Sequence, residues 1–420
     1  MNNQNIIAST TDQINMPNGT VTTSFSFYLF LLLSFILIGR PQDVFEFLQP
    51  ARPALILTIL NILIIFIQYK NLAALIPSQS IGRKYIYFYG MMILGIPFAY
   101  YRRGAFEFVF FQYIINILYF SLFLIHVHSY ERLRSVVFTI VCSLLFYGIM
   151  TLSHGSYQEN RLSFGSTYDP NDLAYMFVSL LPFTVFYISD SKNLITKLFA
   201  ALTMIISSML ILFSGSRGGL IGFAIMLLLF LFSKLSPIRR SIKLALIIMI
   251  LVFAVTNKDI LFTGRYTTLM EVDQDYNVTD EYGRINLWKK AGEFIVKRPL
   301  TGVGALCFPN AIGFERRSRL GQERWQAVHN SYLQIASELG LIAFTIFILM
   351  IKESLRVLQK VRRSESKMIN MTGIQNLAGI VQIGFICHLF VALFLTQGYS
   401  IIFTLFFAFA TAFNKLLNQV

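Results

Sequence analysis

His329-Asn-Ser-Tyr-Leu-Gln-Ile-Ala-Ser-Glu-Leu-Gly-Leu-Ile-Ala-Phe-Thr-Ile-Phe-Ile-Leu-Met-Ile351 opens on polar residues and closes on an almost unbroken apolar run. Residues 331–351 are long enough, as a helix, to cross about 30 Å of hydrocarbon. Upstream, 257–330 is basic, polar and aromatic, with no apolar run of that length. Such a stretch in a hydrophobic chain is where chemistry is expected, with the apolar segments as its frame.

The rest of the chain repeats the pattern. Of 420 residues, 55% are hydrophobic and 13% charged, about half the charged share of soluble domains. Apolar windows predict about twelve spans, at 22–38, 53–69, 84–99, 107–125, 134–152, 172–189, 195–213, 219–233, 241–256, 331–351, 374–395 and 398–417. The fold class is therefore all-α, a polytopic transmembrane bundle forming one domain over 1–420, with 257–330 inserted between spans nine and ten and carrying short helices. Continuous apolar runs exclude a β-barrel, whose strands alternate. The segment Phe25 to Ile38 lacks a basic flank before it and reads as a retained span, not a cleaved signal.

Basic residues set the orientation. Lys70, Arg132, Lys192, Lys234, Arg239 and Arg240 fall on one set of connections, followed by the run Lys352, Arg356, Lys360, Arg362, Arg363 and Lys367 in 352–373. The short connections on the other side hold Arg40, Arg52, Arg102, Arg103, Arg161 and Arg217. Both termini are thus expected in the cytoplasm and 257–330 outside. The net charge of +14 suits lipid headgroups and lipid-linked phosphates better than nucleic acid in such a chain. Cys142, Cys307 and Cys387 form no metal or disulfide pattern.

This orientation collects several motifs on the outer face. Ser214-Gly-Ser-Arg-Gly-Gly219 sets Arg217 among glycines that expose backbone amides, and a guanidinium forks phosphate oxygens; an interhelical turn with a snorkelling arginine is the plainer reading. Asp169-Pro-Asn-Asp172 reads as a helix start, and Arg161 upstream is a separate phosphate-binding candidate. Ile285, Trp288, Ala291 and Ile295 form the apolar stripe of a basic surface helix ended by Pro299, with Arg284 at its start. His329 opens the tenth span, placed either as a cap or as a base near neutral pH. Glu338, inside that span, must be paired, and the role of His388 is open, while His126, His128 and His154 read as interface or loop residues. No Walker loop, HExxH or GxSxG is present, and no Asp-x-Asp pair is read as suited to a divalent ion beside a nucleotide sugar. No metal or cofactor is expected.

Ser216-Arg-Gly-Gly219, Gly283-Arg284 with Trp288, Pro299-Leu-Thr-Gly-Val-Gly304, and His329-Asn-Ser-Tyr-Leu333 through Glu338-Leu-Gly340 together resemble the O-antigen ligase and polymerase superfamily. Asp169-Pro-Asn171 is similar to the variant found in exopolysaccharide-associated ligases. The resemblance covers roughly 160–350. It implies an inner-membrane glycosyltransferase, with its active site on the periplasmic side, that moves a glycan from undecaprenyl diphosphate to an acceptor hydroxyl on a glycan, a lipid core or a protein. His329 would then activate the acceptor and Arg217, Arg284 and Arg161 hold the diphosphate, with Asn171, Asn330 and Glu338 in support. A polymerase shares the donor chemistry. A glycolipid flippase, the reading from another class, would want charged residues near midplane on several helices.

Overall fold

The computed structural model describes residues 24–69, 76–158, 161–165, 169–235, 283–320, 325–365 and 370–418, with a few positions between 243 and 248. The described chain is helical apart from one short hairpin. Its helices are α1 (Ser24–Gly39), α2 (Pro53–Tyr69), α3 (Ser80–Gly95), α4 (Arg102–His126), α5 (Tyr130–His154), α6 (Pro170–Asp190), α7 (Leu194–Phe213), α8 (Arg217–Phe232), α9 (Arg284–Lys297), α10 (Phe308–Leu320), α11 (Ser331–Arg362), α12 (Met371–Val391) and α13 (Ile401–Leu417). The hairpin pairs β1 (Ser156–Gln158) antiparallel with β2 (Arg161–Ser163).

By length and composition, α4, α5, α6, α7, α11 and the segment containing α12 can cross a membrane, while α1, α2, α8 and α13 are shorter apolar helices. Helix α3 carries Arg83 and Lys84 in its first turns and meets neither description. A helix lies over each expected span except 241–256, most of which falls outside the described residues.

Bundle interiors need polar groups satisfied internally, because lipid offers no partners. Serine and threonine hydroxyls therefore bond back to carbonyls one turn earlier, as Ser34 does to Phe30, Ser143 to Thr139 and Thr151 to Tyr147. Buried phenylalanines fill the space between helices; Phe347 of α11 packs its ring against Phe88 of α3 and Phe403 of α13. His126 is fully buried and stacks on Phe30 at 5.2 Å, so it is a core residue, contrary to the expectation of an interface position.

Helix α11 does not stop at Ile351, where the expected span ends. Ser354, Val357, Leu358 and Val361 keep a buried stripe at helical spacing, so Lys352 to Arg362 lie on its last turns and not in a loop. Lys360 and Arg362 then sit at the helix C-terminus, where positive charge is favoured.

Candidate active site

Residues Ser214–Gly219 form the corner between α7 and α8. Gly215 has a left-handed φ of 59°, and a Cβ there would press on the Arg161 stem at 3.2 Å. Ser216 caps α8 by accepting from the Gly219 amide, while Gly219 and Gly222 let α8 lie against Ala174 and Val391 of α6 and α12. The glycines here bring helices together and leave Arg217 at the first position of α8.

Arg161 reaches that corner from β2. Its Nε donates to the Ser214 carbonyl at 3.0 Å and an Nη to Asn171 Oδ1 at 2.7 Å. Asn171 is fixed because Asp169 caps α6, accepting from the Asn171 and Asp172 amides at 2.7 and 2.8 Å, with Pro170 at the first turn. The expected helix start is where the sequence placed it.

Helix α9 supplies Arg284. Its buried face is Leu287, Ala291 and Phe294, packed on Val303, Phe308 and Ile312. The expected stripe is rotated: Ala291 is buried, Trp288 lies at the edge, and Ile285 is exposed. The face bearing Leu287 and Phe294 is the one that meets the apolar cluster of Val303, Phe308 and Ile312. Trp288 Nε1 donates to the Val328 carbonyl at 3.1 Å, tying α9 to the residue before His329.

The turn Pro299–Gly304 docks, backbone to backbone, into an opened turn of α11. Gly340 has φ 82° and ψ 175° within the helix, freeing carbonyls that normally bond one turn on. Ser337 and Glu338 carbonyls accept from Val303 and Gly304 at 2.9 Å each, and Leu341 donates to Pro299 at 2.7 Å. Side chains would block this: a Cβ on Gly302 would meet the Glu338 carbonyl carbon at 2.3 Å, and one on Gly340 the Leu300 oxygen at 2.5 Å. The Glu338 carboxylate, 1% exposed, accepts from the Leu306 and Phe308 amides at 2.8 and 3.1 Å and from Tyr399 Oη at 2.8 Å. It holds the start of α10.

His329 sits just outside α11 in the left-handed region, φ 51°, a conformation that costs a non-glycine residue about 1–3 kcal/mol. Its neighbours fix it there. The His329 amide donates to Thr396 Oγ1 at 2.8 Å, and Asn330 caps α11 through the Tyr332 and Leu333 amides. The α12–α13 loop completes the clamp: Ser331 Oγ donates to Leu395 and accepts from the Gln397 amide, while Gln397 Nε2 donates to Asp172.

These segments enclose a cavity of about 230 Å³ whose wall includes Arg161, Asn171, Gly215 to Gly218, Arg284, Gln326 and His329, closed by Leu287, Val391, Phe394 and Leu395. Four positions separated by up to 168 residues thus meet (329 − 161). The starts of α8 and α9 are on the wall, and Asn171 brings the start of α6, so positive helix ends add to three guanidiniums. Burial, and then Arg284, depresses the His329 imidazole to about pKa 4, with Asp169 pulling the other way. At neutral pH the ring is uncharged and able to accept a proton.

The structure thus gathers Arg161, Arg217, Arg284, His329 and Asn171. Asn330 and Glu338 are not on the wall; the first is a helix cap and the second anchors the 304–308 turn. His388 is buried between Tyr175 Oη and Ser179 Oγ, 3.0 Å from each, away from the wall. Sequence reasoning missed Gln326 and the loop Leu395–Gly398. The polar, glycine-containing run Thr396-Gln-Gly398 between two spans was the available signal. The chain has one Asp-x-Asp, Asp273-Gln-Asp275, which lies outside the described residues; among those described, no group of three acidic, histidine or cysteine side chains is placed to hold a metal.

Residues 202–348 match the family model for O-antigen ligase, a likeness that supports the O-antigen ligase superfamily over that part of the chain. The matched segment contains Arg217, Arg284 and His329, whereas Arg161 and Asn171 precede it and join it through Ser214. A comparison with curated proteins found no match.

Proposed function

We propose that the protein is a membrane glycosyltransferase of the ligase type that transfers a glycan from undecaprenyl diphosphate to an acceptor hydroxyl, at the periplasmic face of a bacterial inner membrane. The observation that carries this reading is the meeting of three arginines and a neutral histidine on one cavity. In this reading 1–420 is one membrane domain, both termini are cytoplasmic, and 257–330 is the periplasmic loop, whose Arg284, Leu287, Gln326 and His329 line the cavity.

The reaction breaks the bond between the anomeric carbon and a diphosphate oxygen. That oxygen keeps the electron pair, and Arg161, Arg217 and Arg284 stabilise the charge; losing one such group costs on the order of 10²–10³ in rate. The acceptor oxygen attacks from the opposite face as His329 takes its proton, so the anomeric centre inverts. A base of this kind contributes roughly 10²–10⁴. An imidazole held near pKa 4 is a weak base, but the incoming diphosphate offsets the arginine charge and raises it. Donor binding therefore prepares the base. Because guanidiniums supply the positive charge, no metal ion is required.

The test is incubation of the purified protein with undecaprenyl-diphosphate glycan and candidate acceptors, with product size as readout. One addition identifies a ligase, and a ladder identifies a polymerase, which uses the same donor chemistry. His329→Ala should remain folded and inserted while losing transfer; near-native transfer by that variant removes the base assignment. Transfer should persist in EDTA, and loss restored by Mg²⁺ or Mn²⁺ would give Asp273 and Asp275 the role assigned here to arginine.

A further inference from the structure

A second groove, of about 840 Å³, lies between the α1–α2 corner and the first turns of α4. We propose that it binds an amphiphile with an uncharged, hydroxyl-rich head, the lipid-anchored acceptor of the transfer described above; the acceptor role rests on that reading.

The shape of α4 makes the groove. Residues Phe108–Tyr113 form a π-turn, a rare widening that recurs at functional sites. In a regular helix successive side chains point 100° apart, and about half of a two-turn segment faces any one side. Here every residue from Phe110 to Asn116 except Tyr113 lines the groove. Phe110, Phe111 and Ile115 provide an apolar wall suited to hydrocarbon or to the flat face of a sugar.

The polar groups are of a different kind from those around His329. Gln42, Gln112 and Asn116 are amides, each able to donate and accept, which matches hydroxyls. Arg52 and Glu107 add one charge of each sign, and with Glu107 paired to Arg103 the groove keeps at most one cation for a phosphate. The Gln42 Oε1 atom is buried with no hydrogen-bond partner among the described residues, a costly state for an acceptor unless a ligand donor meets it. The arginine cavity has three cations and no acid on its wall. The two sites divide the two halves of a transfer reaction by chemistry.

They also share a support. Asn116 Nδ2 donates to the Tyr399 carbonyl at 2.9 Å, and Tyr399 belongs to the loop whose Thr396 holds the His329 amide and whose Leu395 lines the arginine cavity.

The experiment uses the full-length protein in phospholipid nanodiscs with a dodecyl maltoside bearing a photoreactive group on its chain. Labelled peptides are mapped by mass spectrometry. Labelling should concentrate in 107–116 and be competed by dodecyl maltoside but not by dodecyl phosphocholine. Ile115→Trp, at a half-buried position, should reduce it at least tenfold by filling the groove, and Gln112→Leu, at an exposed one, about fivefold by removing one hydrogen bond. Equal competition by phosphocholine would identify an ordinary lipid groove and overturn the proposal. So would labelling of 107–116 that neither variant changes. Undecaprenyl diphosphate binding, measured in the same samples, should be unaffected by Ile115→Trp and weakened by Arg217→Lys. If Arg217→Lys binds it as wild type does, the donor site fails while the groove stands or falls by its own labelling.

Discussion

Replacing Gly340 with alanine tests the joint between α11 and the segment before it. The added Cβ would sit 2.5 Å from the Leu300 oxygen, 2.6 Å from its carbonyl carbon and 2.8 Å from the Pro299 oxygen. All three are backbone atoms, so no side-chain rotation relieves the contact. Keeping φ 82°, ψ 175° with a side chain costs about 1–3 kcal/mol. The alternative is to expel the 299–304 turn and let the helix close. That loses three backbone hydrogen bonds between the segments, each worth about 0.5–1.5 kcal/mol net, against whatever bonds the closed helix regains. Either route costs on the order of 3 kcal/mol, roughly a hundredfold in an equilibrium or rate. Gly340→Ala should insert normally and keep its helix content, while transfer falls about a hundredfold and exchange of the Val303 and Gly304 amides accelerates. Hydrogen exchange read by mass spectrometry across 299–310 follows the second effect. Wild-type transfer with unchanged protection there would refute the claim that the opened turn positions the site.

Three further outcomes follow from the same geometry. With burial and Arg284 depressing His329 to about pKa 4, kcat/KM for the donor should hold down to about that pH, whereas the acid limb of kcat, reporting the donor-bound enzyme, should lie higher; coincident limbs would remove the link between donor binding and the base. For stability the sign is the usual one for a depressed group: the contribution of neutral His329 is present above its ordinary value near 6.5 and is lost as pH falls through about 4, so His329→Asn should flatten acid unfolding over that window. Arg217→Lys should lose about a hundredfold in turnover, because a point charge cannot fork two oxygens; wild-type turnover would make Arg217 a headgroup anchor. Glu338→Gln should lower the unfolding midpoint in detergent, reflecting about 1–3 kcal/mol, since its NH2 would set a donor against one of the two amides, Leu306 or Phe308, that the two carboxylate oxygens accept; an unchanged midpoint would separate that carboxylate from the α10 start.

Much of the site was legible because its residues stand at helix starts. Caps, prolines and glycines announce such places locally: Ser216 and Gly283 adjoin Arg217 and Arg284 on the cavity wall, and Asp169 stands two residues before Asn171. The arrangement of α11 was less visible. An apolar run from Leu339 to Ile351 reads as uninterrupted helix, and nothing periodic marks Gly340 as a break beside which the Ser337 and Glu338 carbonyls serve a turn 34 residues earlier. Glu338 was recognised as needing a partner, but two of its partners are backbone amides, which any sequence supplies. The register of α9 turned on Phe294, whose weight depends on what faces it. Loop Leu395–Gly398 was taken as the margin of two spans, although Thr396 holds the one strained residue of the site.

The mortise formed by Pro299–Gly304 and Ser337–Gly340 also bears on how such proteins can be recombined. A segment joined to its scaffold by main-chain bonds cannot be exchanged at its sequence ends alone. A chimera that imports 257–330 from a relative should work only if it also brings that relative's residues through Gly340. Natural diversification of 257–330 should then run as paired changes on both sides of this seam, with the interlocking glycines kept in place.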